Sequence, residues 1–154
     1  ARIWSPNRTP SLPLQGYRWA FPAFGEHALR ARSTAAALSF LDWYVDVRER
    51  HGGHREAAEG RYWRGRVRAA ESDDTGAKDD FTQARATFAR LGGHDHLWRI
   101  DAALSMLARR MGDPLGAAEA TARAKSNLEV LAGGFADPGS RRALLRKLED
   151  KEDE

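Results

Sequence analysis

Apolar residues recur at helical spacing from residue 33 to the leucines near residue 148. Spacings of three and four residues place apolar side chains on one face of a helix. No segment shows the alternation of apolar and polar residues that is typical of a strand. The pattern predicts helices at about 33–50, 54–71, 78–91, 95–110, 114–131 and from 138 onward.

Pairs of adjacent glycines separate these helices at nearly regular intervals. Glycine ends helices because it adopts the left-handed conformation at little cost. A period of about 40 residues, with a helix on either side of each stop, is typical of stacked helix hairpins. We expect each pair to lie at a turn between antiparallel helices, with at least one glycine in the left-handed region. The pairs are Gly52-Gly53, Gly92-Gly93 and Gly133-Gly134.

Other breaks are marked by composition. The stretch 72–76 is rich in Ser, Asp, Thr and Gly and predicts a loop before a short third helix that begins near Lys78. Pro114 suits the first turn of the fifth helix. Gly60 and Gly65 lie inside the second helix, where each costs about 1 kcal/mol relative to alanine. We infer that another helix crosses closely there.

The first 26 residues differ from the rest of the chain. They contain four prolines, which remove backbone donors and disfavour a regular helix. They also contain five large aromatic residues, which are costly to leave exposed. Such an arm either packs on the helical body or lies on another protein. We favour packing on the body, with Trp19 and Phe21 as the main anchors.

Composition limits the class of protein without naming a function. A chain of 154 residues is most simply one domain with a real core. The absence of cysteine excludes disulfides and thiol metal sites and fits a reducing cytoplasm. No apolar stretch approaches the roughly 20 residues that span a bilayer. We therefore expect a cytoplasmic protein with an arm (1–26), a helical-repeat domain (27–150) and an acidic tail (151–154).

The charge is unevenly distributed. The net charge of +3 combines −4 over the last six residues with +7 over residues 1–148, and the cations are 21 Arg against 4 Lys. A basic body with an acidic tail suits nucleic acid, or a tail that folds back over a basic face. The simpler interpretation, which we favour, is a genome that encodes Arg in place of Lys and a solvated chain end.

A stripe of arginines on the second helix is the main candidate surface. Arg61, Arg64 and Arg68 share one helix face, with aromatic residues between them. Such a stripe can follow phosphates while a ring stacks on a base, or it can pair with acidic residues of the same chain. No nucleic-acid-binding motif accompanies it. We therefore assign the stripe, together with Trp98 and Arg99, to binding of a protein partner.

Signals for chemistry are poor. His94 and His96 flank Asp95, but alternate side chains at a helix start point apart, and a zinc site needs three or four converging ligands. We expect His94 or Asp95 to cap the fourth helix. The acid pairs Asp73-Asp74 and Asp79-Asp80 flank a loop, which would suit a cation, but paired acids beside a helix start are more typical of caps and dipole partners, which we favour. The chain has no phosphate loop, nucleophile elbow or dinucleotide-binding motif. The sequence therefore predicts a non-enzyme with no cofactor and no metal site.

The fourth and fifth helices share a pattern of small residues around their turn. It consists of Leu104-Ser105, Gly112-Asp113, Ala117 and Ala124, with weaker matches at Ala84 and Phe88 and at Gly60 and Trp63. This pattern resembles the tetratricopeptide repeat family, whose units are helix hairpins with small residues where the helices cross. A run at 132–138 also resembles the end of the helical-repeat regions in large bacterial signalling ATPases and regulators.

The resemblance covers residues 33–150, with two departures from the family. The interval between glycine pairs is longer than the family's unit, and the 72–78 loop is long for a tight hairpin. The resemblance implies an all-α, tetratricopeptide-like array of about six antiparallel helices with a non-helical N-terminal arm. It implies a non-catalytic protein–protein interaction or scaffold module, as a regulatory region of a bacterial signalling protein. The alternatives are a basic helical nucleic-acid-binding domain and an adaptor whose arm or tail is itself the bound element.

Overall fold

The computed structural model describes residues 34–134, 137–140, 143 and 146. Of these described residues, 88% are helical and none lies in a strand. The predicted all-α fold is therefore confirmed over this part of the chain. The arm with its expected anchors, Trp19 and Phe21, and the acidic tail lie outside the described residues.

Five helices have both ends among the described residues, and they follow one another through short turns. Further helical residues at 138–140, 143 and 146 agree with the predicted last helix. Asp137 accepts a hydrogen bond from the backbone N–H of Ser140 at 2.7 Å, which caps that helix start. The five helices are α1 (Thr34–Arg50), α2 (His54–Ala70), α3 (Asp74–Leu91), α4 (His94–Arg110) and α5 (Pro114–Gly133).

The turns between these helices recur at a constant interval along the chain. Each turn contains one residue in the left-handed region, at positions 52, 72, 92 and 112, and the next helix begins two residues later. The interval between glycine pairs in the sequence therefore spans two successive helices with their turns. For the first two glycine pairs the prediction is confirmed, since Gly52 has φ 74° and Gly92 has φ 68°.

The turn between α2 and α3 corrects the predicted loop at 72–78. Helix α3 begins at Asp74, well before the expected Lys78. Ser72 takes the left-handed conformation, with φ 64°, that glycine takes at the other turns. Asp73 then caps α3 by accepting a bond from the backbone N–H of Gly76 at 3.0 Å. The polar run is thus a tight turn with a helix cap, and the expected role of Asp73 is confirmed.

The third glycine pair does not form the predicted left-handed turn. Helix α5 continues through Gly133, and Gly134 has φ −78° and ψ −9°. Ala132 stands where the next left-handed residue after Gly112 would fall, and it is fully buried within the helix. Because burial holds this position in the helix, α5 extends beyond the stop that the glycines indicated.

The chain divides into two compact units, residues 1–80 and 81–154, with the boundary inside α3. In the first unit α1 packs against α2, and in the second α4 packs against α5. The first unit has a core of Ala37, Leu41, Tyr44, Trp63 and Val67. Buried apolar side chains of the second unit include Leu97, Ile100, Leu107, Ala120 and Leu128.

Small residues mark the close approaches, as the tetratricopeptide resemblance implied. A Cβ on Gly60 would lie 2.9 Å from Cδ1 of Tyr44 and 2.9 Å from Cγ2 of Val45. The close helix crossing expected at Gly60 is therefore confirmed, with α1 as the neighbour. Alanines at the same place in alternate helices, at positions 37, 77 and 117, are all buried. No helix in the described part of the chain is long and apolar enough to cross a membrane.

Candidate functional site: two buried carboxylates and their arginines

Two aspartates, Asp80 on α3 and Asp101 on α4, are fully buried. A buried carboxylate is costly unless cations and hydrogen bonds compensate it. Each of these two is compensated by a pair of arginines. We call Asp80 with Arg64 and Arg68 the first carboxylate cluster. Asp101 with Arg85 and Arg123 is the second carboxylate cluster.

The first carboxylate cluster uses every nitrogen of one guanidinium. Arg64 donates from Nε to Oδ2 of Asp80 at 2.9 Å and from Nη2 to Oδ1 at 2.5 Å. Its Nη1 donates to Oδ1 of Asp42 on α1 at 2.8 Å. Arg68, one helical turn further along α2, donates from Nη1 to Oδ2 of Asp80 at 2.9 Å. These bonds join α1, α2 and the first turns of α3.

The electrostatics of Arg64 follow from this arrangement. Its side chain is only 15% exposed. Burial by itself lowers the pKa of Arg64, but the hydrogen bonds and charges of Asp80 and Asp42 outweigh it and leave the pKa above its ordinary value. The guanidinium therefore stays charged and is held by two carboxylates at once.

The arginine stripe predicted to bind a partner consists of these same side chains and Arg61. Arg61 forms an ion pair with Glu49 of α1. Nε of Arg68 also lies 3.7 Å from Oδ2 of Asp73, and its Nη1 donates to the carbonyl oxygen of Gly76 at 3.4 Å. All three arginines of the stripe thus contact acidic residues of their own chain. Partner binding by the stripe stays a prediction.

The second carboxylate cluster leaves more of its arginines available. Arg85 on α3 donates from Nε to Oδ1 of Asp101 at 2.7 Å, and Arg123 on α5 donates from Nε to the same oxygen at 3.0 Å. Asn127 donates from Nδ2 to Oδ2 at 3.4 Å. The side chains of Arg85 and Arg123 are 33% and 39% exposed. Each guanidinium is therefore held through its Nε, and no described group accepts a hydrogen bond from its terminal nitrogens.

A histidine extends this second cluster. Nδ1 of His94 lies 2.8 Å from Oδ1 of Asn127, whose Nδ2 also donates to the carbonyl oxygen of Arg123 at 3.0 Å. Because the amide nitrogen of Asn127 faces acceptors, its oxygen accepts and the Nδ1 of His94 carries the proton. The sequence prediction that His94 or Asp95 caps α4 is wrong. Gly93 is the N-cap residue and no side chain caps the helix, since His94 is directed toward α5.

The other residues singled out in the sequence have modest roles in the structure. His96 stacks on Phe88, with 4.1 Å between the ring centres. Trp98 is 6% exposed, and the guanidinium carbon of Arg99 lies 5.6 Å from the centre of its ring. Within the described residues, no three His, Cys, Asp or Glu side chains are grouped as metal ligands would be.

Both clusters use the same two sequence separations. Arg64 is 22 residues from Asp42 and 16 from Asp80, while Asp101 is 16 from Arg85 and 22 from Arg123. Antiparallel helices of equal length bring together residues that are equally far from the turn between them. Opposite charges placed symmetrically about each turn were the signal that sequence reasoning missed. Asp101, Arg85 and Arg123 were not candidates there, and Asp80 was considered only with Asp79, as a cation ligand or as a partner of a helix start.

The comparison with known proteins adds no assignment to this geometry. No family model, curated protein or solved structure matches the chain. The helix period and the two clusters are therefore the features of this chain that bear on its function. Such clusters can fix helices to one another, and a guanidinium with outward nitrogens can also bind an anion.

Proposed function

We propose that this chain is a tetratricopeptide-like helical-repeat module that binds another protein and performs no chemistry of its own. It serves in the cytoplasm as a regulatory region of a bacterial signalling protein. The observation that carries the proposal is the regular recurrence of left-handed turns at positions 52, 72, 92 and 112. Repeated helix hairpins of this kind commonly present extended surfaces to protein partners.

The distribution of small and buried residues supports the repeat interpretation. Alanine is buried at positions 37, 77 and 117, and again at 84 and 124, at the same interval as alternate turns. Larger buried side chains also occupy equivalent positions in α2 and α4, as Val67 and Leu107 do. A unit of two helices and two turns therefore repeats in packing as well as in backbone, which is what stacked hairpins require.

The runner-up is a basic helical domain that binds nucleic acid. Its strongest feature was the stripe of Arg61, Arg64 and Arg68. Their guanidinium groups contact Glu49, Asp42 and Asp80 of the same chain, so each would have to leave a carboxylate in order to neutralise a phosphate. Nucleic-acid affinity depends on how many phosphates are neutralised. These internal ion pairs therefore favour the protein-binding proposal.

Two parallel measurements on the full chain test the choice. The first is selection from a displayed library of random peptides, followed by titration of synthesised winners. The second is fluorescence anisotropy with labelled single- and double-stranded oligonucleotides at two salt concentrations. We expect saturable peptide binding that unlabelled peptide displaces, and only weak, salt-sensitive association with oligonucleotides.

Submicromolar oligonucleotide binding near physiological salt would contradict the proposal. The variant R61Q/R64Q/R68Q/D80N, which neutralises the buried carboxylate together with its partners, then identifies the surface, since losing the phosphate contacts should flatten the slope of log affinity against log salt by about two to three units. A double variant of exposed arginines elsewhere, R90Q/R109Q, is the control for loss of positive charge alone. Failure to select any peptide would also count against the proposal.

A further inference from the structure

We propose that Arg85 and Arg123 form a binding site for a carboxylate side chain of an acidic partner peptide. The inference rests on the proposed protein-binding function and names the surface and the ligand chemistry that this function would use. The site belongs to the second carboxylate cluster, on α3 and α5 at either side of α4. None of the residues predicted from the sequence as partner-binding belongs to it.

The terminal nitrogens of Arg85 are its binding groups. Arg85 is held through Nε alone, and no described group accepts a bond from its Nη1 or Nη2. Two parallel N–H donors at the end of a guanidinium match the two oxygens of a carboxylate. Because Asp101 fixes the inner edge of the guanidinium, little side-chain freedom is lost when a ligand binds the outer edge.

Arg123 places a second guanidinium beside the first. Its Nε binds the same oxygen of Asp101 as the Nε of Arg85, so the two guanidinium groups lie next to each other. The two guanidinium groups would repel each other if no anion lay between them. The fully buried carboxylate of Asp101 is that anion. The carboxylate of Asp101 therefore acts as a positioning group for both arginines.

The charges around the site favour a monoanion. Two guanidinium groups share one buried carboxylate, which leaves an excess of one positive charge. Glu119 approaches from outside the cluster, with Oε2 3.9 Å from Nη1 of Arg123 and 63% of its side chain exposed. That separation is too long for a hydrogen bond, so Glu119 is a weak partner. A carboxylate from a ligand matches the excess charge more closely than a phosphate dianion does.

The openness of the site favours a peptide over a small enclosed ligand. Both arginine side chains keep about a third of their surface exposed, and they come from two different helices. A side chain on an extended peptide can reach this shallow pair while the rest of the peptide continues along the helices. The first carboxylate cluster is more fully bonded, because Arg64 already donates through Nε, Nη1 and Nη2. Its second arginine, Arg68, donates through Nη1 to both Asp80 and Gly76 and is 26% exposed.

The test is a titration of the full chain with a labelled short peptide of alternating glutamate and serine, read by fluorescence anisotropy at physiological salt. A peptide with glutamine in place of glutamate measures binding that does not need the carboxylate. We expect R85Q and R123Q each to weaken binding of the acidic peptide by about tenfold, as for loss of a hydrogen bond to a charged group. R90Q and R109Q, exposed arginines on α3 and α4, should leave it within about twofold.

Two further variants separate ligand binding from structural effects. R85Q/R123Q/D101N removes the buried charge together with its partners, so a folded protein without the site is obtained, and we expect no binding above the glutamine peptide. E119Q removes the weak competing acid and should tighten binding by about twofold. A purely structural role for the cluster does not predict tighter binding by E119Q.

Several outcomes would overturn this inference. Equal losses in R85Q/R123Q and R90Q/R109Q would show only a response to net charge. Displacement of the peptide by inorganic phosphate at lower concentration than by acetate would refute the carboxylate assignment. Tighter binding of an oligonucleotide than of the acidic peptide through Arg85 and Arg123 would refute the assignment of a peptide partner. Failure of the acidic peptide while the displayed library yields other binders would refute this site alone. Failure of both would refute the proposed function as well.

Discussion

The two carboxylate clusters contain the same arrangement of three charged residues, with the signs of the charges exchanged. In the first, a basic centre, Arg64, lies between Asp42 and Asp80, and in the second an acidic centre, Asp101, lies between Arg85 and Arg123. The separations of 22 and 16 residues are shared, but the outcome differs. Arg64, the central arginine, donates from all three of its nitrogens, whereas the flanking Arg85 and Arg123 each donate through Nε alone to described groups.

We call the first cluster closed and the second open, after the bonding of Arg64 and of Arg85. Both aspartates are equally buried. Closed bonding at Arg64 suits a joint between helices, because each of its three nitrogens already donates to a carboxylate. Open bonding at Arg85 keeps the same joint and leaves Nη1 and Nη2 without a bond to any described group. One repeat pattern thus supplies both a structural contact and a candidate binding surface.

The largest expected effect comes from neutralising the two aspartates separately. D80N leaves Arg64 and Arg68 partly buried with much of their compensation gone, so we expect a loss of about 3–5 kcal/mol in the free energy of unfolding. D101N leaves arginines that can turn toward water, so the loss should be about 1–3 kcal/mol. Urea unfolding followed by circular dichroism measures both. Equal losses, or a larger one for D101N, would remove the distinction between closed and open clusters.

A smaller effect tests how closely the first hairpin packs. G60A adds a methyl group 2.9 Å from Tyr44 and Val45, and we expect overpacking to cost about 1–3 kcal/mol despite the better helix propensity of alanine. The matched control is G133A in α5, where the added methyl group meets nothing within 4 Å. That variant should gain up to about 1 kcal/mol. Stabilisation by both substitutions would show that α1 and α2 do not cross closely at Gly60.

The smallest effect concerns the turns that set the period. Ser72 has φ 64° where the corresponding turns have glycine, so S72G should stabilise the chain by about 0.5–1 kcal/mol. The reciprocal change, G112S at φ 72°, should destabilise it by about the same amount. Thermal unfolding of the two variants checks the signs. A destabilising S72G would mean that the four turns are not equivalent.

Much of the fold was predictable because the helix stops are local signals. Gly52 and Gly92 marked two turns, and Pro114 marked the start of α5. The start of α3 was missed because serine and aspartate are typical of loops, although here Ser72 makes the turn and Asp73 the cap. The end of α5 was missed because burial of Ala132 outweighs the preference of the glycines that follow it.

The candidate site was not predictable from single helices. Arg85, Asp101 and Arg123 lie on three helices, and each is an ordinary polar position within its own helix. Their meeting depends on where the turns fall, since only residues equally far from a turn come together. The stripe on α2 was visible because its arginines are one turn apart, but the carboxylates that accept their hydrogen bonds are 12 to 22 residues away. Local periodicity therefore identified the cations and missed the acids that bind them.

The measurement that tests the central claim most directly follows the arginine side chains themselves. Correlation spectra of the Nε–H groups in nitrogen-15-labelled protein, assigned by single Arg→Lys variants, report each guanidinium during titration with the acidic glutamate peptide. We predict progressive, saturable shifts for Arg85 and Arg123, with Arg64 and Arg68 unchanged. Shifts of Arg64 and Arg68 with Arg85 and Arg123 unmoved would contradict the account, because the closed cluster would then be the binding surface.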